Sequence, residues 1–130
     1  MIDTVLFDCW GTILQAPNLM RRGAPAEIFY GSLTGNGCDI DLDSFKDAYL
    51  EQARRQHEEA KEDFRELDYV QRIDSTLQAI GFVHPRRRLL AQKAWSDYLD
   101  EWPRQSTLFD DSMPLLNSLT GKYKLGLVTN

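Results

Sequence analysis

The sequence predicts an α/β layer domain with an all-helical cap inserted after its first strand. Two short runs, at residues 4–7 and 124–130, have the pattern of strands buried on both faces of a parallel sheet. A helix immediately precedes the second run. Most of the intervening chain repeats at helical spacing. Two strands joined by a crossover that contains a helix form a parallel pair.

The elements follow in order. Thr-Val-Leu-Phe at 4–7 leads into Asp8, and Gly11 breaks the run. Residues 15–25 hold two prolines and a glycine and read as loop. Gly31, Gly35, Asn36 and Gly37 mark a second irregular stretch. A long polar helix is expected from about 41 to 63, with Asp41 as its cap. Phe45, Tyr49, Ala53, Ala60 and Phe64 form its apolar stripe, and Glu51–Arg55 and Arg55–Glu59 are paired on its wet side. Val70, Ile73, Leu77 and Ile80 define a second helix that Gly81 stops. A third starts near Pro85, presents Ala91, Trp95, Tyr98 and Trp102, and ends at Pro103. Residues 41–102 thus form a helical unit. A short helix capped by Ser112 or a neighbouring aspartate carries Pro114 in its first turn and Leu115, Leu116 and Leu119 on one side. Gly121 ends it before the second strand.

Composition narrows the function. The chain has 130 residues, 42% of them apolar and 27% charged, within the range of one globular domain. A net charge of −5 disfavours wholesale binding of nucleic acid or an anionic membrane. Two cysteines do not make a disulfide scaffold, so Cys9 and Cys38 read as reduced thiols of a cytoplasmic protein. No apolar run approaches the roughly 20 residues of a membrane helix. The start, with Asp3 and Asp8 and no basic segment, is unlike a signal peptide.

Chemistry concentrates at the strand ends. Asp8 closes the first strand, where open α/β sheets bind ligands, with Gly11 for a sharp turn and Thr12 for a hydroxyl. Thr129 and Asn130 close the second strand. A carboxylate beside hydroxyl and amide donors suits attack on an anionic group held by those donors.

Together these residues resemble the haloacid dehalogenase-like hydrolase superfamily. Its first motif is a hydrophobic run followed by D-x-x-G-T-L/V, and Phe7-Asp8-Cys9-Trp10-Gly11-Thr12-Ile13-Leu14 is similar to it. Its second is a hydrophobic strand ending in Thr or Ser, often followed by Asn, as in Leu125-Gly-Leu-Val-Thr129-Asn130. The resemblance implies a Rossmann-like core at 1–16 and 104–130, of which only the first two strands are present, and a helical cap with its linkers at 17–103. It implies that Asp8 is the nucleophile, that Thr129 and Asn130 hold the transferring group, and that Mg²⁺ sits on the Asp8 carboxylate and the Trp10 backbone carbonyl. Trp10, Gly11 and Thr12 would border the substrate, and Arg21 and Arg22 would meet its anionic group near the hinge to the cap. The expected substrate is a small phosphate monoester.

Trp10 departs from the phosphatase pattern, which has a second aspartate there as general acid and base. An indole cannot supply that proton. A halide leaving group needs none, so hydrolysis of a small haloacid, without a metal, is the alternative. The superfamily's third and fourth motifs, a basic residue and an acidic pair, lie beyond the second. The expectation is therefore an amino-terminal portion of a longer enzyme, inactive alone; an inert binding remnant is the third possibility. The oligomeric state stays open.

Other candidates fall away. Asp39, Asp41 and Asp43 imitate a calcium loop, but Ser44 and Leu50 occupy the places of its glycine and glutamate. His57 and His84 lack partners at zinc spacing. Arg86–Arg88 reads as a solvated helix start.

Overall fold

The structure is a computed structural model that describes residues 2–63 and 66–129. Phe64 of the expected stripe and Asn130 of the expected site lie outside the described residues. In chain order the elements are β1 (Thr4–Asp8), β2 (Leu14–Gln15), α1 (Pro17–Met20), α2 (Ala24–Gly35), α3 (Leu42–Asp63), α4 (Tyr69–Ala79), α5 (Arg87–Gln105), β3 (Thr107–Leu108), α6 (Ser112–Leu119) and β4 (Lys124–Val128). The protein is mixed α/β and mostly helical. It divides into two compact units, Met1–Met20 with Trp102–Asn130, and Arg21–Glu101. No helix among the described residues is long and apolar enough to cross a membrane.

In the first unit β1 and β4 pair in parallel, from Thr4 opposite Lys124 to Asp8 opposite Val128. Backbone hydrogen bonds close both ends of the pair: Lys124 N donates to Asp3 O at 2.8 Å and Cys9 N donates to Val128 O at 3.2 Å. A second ladder, antiparallel, joins β2 to β3. The Ser112 hydroxyl, fully buried, donates to Ile13 O at 2.9 Å and ties α6 to the turn after β1. Of the two caps expected, the neighbouring aspartate, Asp111, takes the N-cap position, without a side-chain bond, and the Ser112 hydroxyl is committed to Ile13 instead.

The strands were expected to be buried on both faces, and they are not. Leu6 is 64% exposed, Leu127 60% and Val128 55%. The physical reason is the size of the sheet: among the described residues it has two strands. Each strand keeps an unpaired edge, and only Val5, Phe7, Leu125 and Gly126 reach partial burial.

The second unit is helical and is organised on Phe29 of α2. This ring is wholly buried, with centroids 5.1 Å from Tyr98, 5.5 Å from Tyr49 and 6.3 Å from Trp95. Leu33, Phe45, Ile73 and Leu77 complete the core. The sequence reading left 15–25 as loop and 31–37 as irregular; helix α1 corrects the first and helix α2, which runs to Gly35, corrects the end of the first and most of the second. Pro25 lies at the start of the helix, where its missing N–H has no intrahelical partner to lose. Gly31 is tolerated because Ala24, Ala26, Phe29 and Leu33 bury the inner face. Asn36 Nδ2 donates to Ser32 O at 2.7 Å, and Gly37, at φ 84°, turns the chain away.

Helix α3 starts as expected, with the Asp41 carboxylate accepting from Ser44 N at 2.8 Å. This bond, the largest cause, lowers the Asp41 pKa. Phe45 and Tyr49 are buried and Ala53 and Ala60 half-buried. On the wet side Glu51 accepts from both Arg54 and Arg55, which hold its carboxyl at about 2, and Arg54 also reaches Glu58. In α4, Asp68 caps by accepting from Gln71 N at 2.8 Å, Ile73 and Leu77 are buried, and Gly81 at φ 75° follows the end.

Helix α5 differs from expectation at both ends. It begins at Arg87, after a turn in which Arg86 N donates to His84 Nδ1. It continues through Pro103 to Gln105, because the next turn is held from below: Ser106 N donates to Trp102 O at 3.0 Å. Arg87 is not merely solvated. Its guanidinium donates to both carboxylate oxygens of Asp74, at 2.8 and 3.2 Å, and its pKa is raised by that pair.

Candidate active site at the ends of the parallel strands

The register of β1 against β4 decides which residues share an edge. With Asp8 opposite Val128, the carboxylate-bearing end of β1 lies beside the end of β4, and Thr129 is the next residue. Both Asp8 and Thr129 are exposed. The chain then folds tightly: Ile13 N and Leu14 N both donate to Cys9 O, at 3.0 and 2.9 Å, and Gly11 N donates to Leu14 O at 2.8 Å. Gly11 adopts φ 80°, which an L side chain rarely accepts. The turn brings Thr12 back, so that its hydroxyl donates to Asp8 Oδ2 at 3.3 Å. Gly11→Ala is expected to destabilise the protein by about 1–2 kcal/mol, measured by urea unfolding, although open space surrounds the added methyl group.

Cys9 follows Asp8 and is buried while Asp8 is exposed, as strand alternation requires. Cys38 is also buried and free, and burial raises its thiol pKa.

Trp10 stands with its ring centroid 4.5 Å from that of Trp102, the planes at 66° in an edge-to-face pair. This corrects the grouping of Trp102 with Trp95 and Tyr98. Trp95 stacks on Tyr69 at 4.5 Å in the helical unit, whereas Trp102 belongs to the strand unit. Trp102 lies two turns beyond Trp95, about 10 Å further along the axis, so the same stripe of α5 serves two cores. Helical periodicity alone carries no signal of where one core ends.

Arg21 and Arg22 lie in the helical unit and are exposed. Arg21 is engaged locally, its guanidinium on the Glu27 carboxylate, which also accepts from Lys46 at 2.9 Å. Arg21 first and Lys46 second hold the Glu27 carboxyl at about 2, against the usual 4.5. A depressed carboxylate contributes stability above its unfolded pKa and loses it as pH falls through the folded one. Glu27→Gln is therefore expected to flatten the acid limb of stability between pH 4.5 and about 2, read from thermal melts across that window, and to lower stability above it by an amount that does not vary with pH.

No family model matches this chain, and no curated protein matches it.

Proposed function

We propose that this protein is an aspartate-nucleophile hydrolase of the haloacid dehalogenase-like kind, with a Rossmann-like core and a helical cap, acting on a small phosphate monoester. The observation that carries the reading is the parallel register that sets Asp8 beside the end of β4, with Thr12 on its carboxylate and Thr129 one residue on.

In this reading an Asp8 oxygen attacks phosphorus, forming an O–P bond as the ester O–P bond breaks. Thr129 donates to a phosphoryl oxygen, and Asn130 carries the same role from the motif. The leaving alkoxide takes its proton from water, because Trp10 offers no acid. Water then attacks the phosphorus of the aspartyl phosphate, releases phosphate and restores Asp8. Magnesium fits the donors present, since the Asp8 carboxylate and Trp10 carbonyl are hard oxygens and the ion keeps several waters. Among the described residues no group of three or more His, Cys, Asp or Glu gathers into a fuller cage. When bound, the ion would screen the repulsion between carboxylate and phosphate.

Trp10, which stands where a general acid would be needed and offers none, favours a second reading, hydrolysis of a small haloacid. There Asp8 displaces halide from carbon, no proton is needed, and water opens the resulting ester. A panel of phosphate esters and haloacids, each with and without Mg²⁺ and run on the full gene product, separates the readings. Mg²⁺-dependent phosphate release is expected. Metal-independent halide release would select the second reading, and turnover of neither would leave the inert binding remnant.

A further inference from the structure

Arg72 of α4 takes no part in the chemistry at Asp8, yet it is a costly residue to keep. It is only 7% exposed. Its Nε donates to Gln56 Oε1 at 2.9 Å and its Nη1 to the Tyr49 hydroxyl at 3.3 Å. The guanidinium carbon lies 4.6 Å from the Tyr69 ring centroid and 5.6 Å from that of Tyr49. Every one of these partners is neutral. A buried cation that has no anion among the described residues carries a desolvation cost that hydrogen bonds and aromatic faces only partly offset.

The guanidinium also has donors to spare. Of its five N–H groups, the hydrogen bonds to Gln56 and Tyr49 use two, and Nη2 makes none among the described residues. Arg72 lines a cavity of about 410 Å³ between α3 and α4, within the range of small-ligand sites. The cavity is otherwise polar, with Gln52, Gln71 and Ser75 on its walls and the exposed carboxylates of Glu59 and Glu66. The two other charged groups there are already engaged: Arg55 with Glu51, and Asp68 as the cap of α4.

The charges select the ligand. A planar fork of free N–H donors matches a carboxylate. Two carboxylates in the same cavity, neither of them paired among the described residues, repel a simple anion but accept an ammonium. We infer that the cleft between α3 and α4 binds a small zwitterion of amino-acid type, its carboxylate on Arg72 and its ammonium toward Glu59 and Glu66. The geometry provides the fork before the ligand arrives, because Gln56 and the two tyrosines already hold the guanidinium in place.

The test is an NMR titration of the ¹⁵N-labelled chain, following the Arg72 Nε–H and the Gln71 side-chain amide. The probes are the common L-amino acids, with acetate, methylammonium and inorganic phosphate beside them. At least one amino acid is expected to give a saturable shift with Kd at or below about 1 mM. Acetate and methylammonium alone are expected to bind at least tenfold more weakly. Arg72→Lys, which loses the fork, is expected to weaken binding about tenfold. Because that change touches a buried residue, Ser75→Leu serves as an independent variant: it fills the cavity wall and is expected to remove the shift while the rest of the spectrum stays folded. The inference is overturned if no amino acid gives a saturable shift, if phosphate or acetate binds as tightly, or if the folded Ser75→Leu protein binds unchanged.

Discussion

Asp8→Asn is expected to lower turnover of any substrate by a factor on the order of 10⁴ or more, the scale seen when an enzyme loses its nucleophile. The substitution is nearly isosteric. Its amide oxygen still accepts from the Thr12 hydroxyl, and the backbone pairing of Asp8 with Val128 is untouched. The residue is exposed, so folding gains or loses little from the missing charge. A melting curve matching that of the parent protein, together with lost turnover, would isolate nucleophilicity as the function removed. Thr12→Val should act more mildly. It deletes one hydrogen bond to the carboxylate, worth roughly 1.5–3 kcal/mol when charge-assisted, and leaves the attacking group in place. A folded Asp8→Asn protein with activity within tenfold of the parent would refute the assignment.

Phe29→Ala is expected to cost about 3–5 kcal/mol, the range for truncating a fully buried aromatic residue. Phe29 has no exposed surface and meets Tyr49, Trp95 and Tyr98, which come from two other helices, α3 and α5. Removing the ring therefore opens a cavity where three helices meet, and three tilted ring contacts are lost with it. Against a typical total stability of about 5–15 kcal/mol, this is enough to unfold much of the helical unit near physiological temperature. Urea unfolding followed by far-ultraviolet circular dichroism measures it. A loss under about 1 kcal/mol would show that Phe29 is not the centre of that core.

The contrast between Phe29 and its neighbours explains what could be read in advance. Helices α3, α4 and α6 announce themselves through periodic apolar residues and recognisable ends. Asp41 caps, Gly81 and Gly121 stop, and each acts through the backbone groups next to it. Such signals are local, so a sequence carries them. Helix α2 is hidden because Pro25, Gly31 and Gly35 are breakers by intrinsic preference, and only the burial of Phe29 and Leu33 by distant residues overrides them. The run of α5 through Pro103 is likewise held by a contact one turn later, not by anything at the proline itself.

The site divides in the same way. The parallel pairing of β1 and β4 followed from the helical crossover between them, and with it the meeting of Asp8 with the end of β4. The bond from Thr12 to Asp8 required the tight turn at Gly11, which the glycine hinted at. Two features were not legible. Trp102 reaches Trp10 only because α5 extends from one unit into the other. Arg72 sits one residue before Ile73 on the buried face of α4, where a charge in an apolar stripe was the available signal.

The central claim is that Asp8 becomes covalently bonded to phosphorus during turnover. It is tested most directly by quenching the enzyme during hydrolysis of a phosphate ester, reducing with borohydride, and mapping the peptide that contains residue 8 by mass spectrometry. An aspartyl phosphate is reduced to homoserine, so homoserine at position 8 is the predicted result. Rapid turnover with only unmodified Asp8 in that peptide would contradict the account.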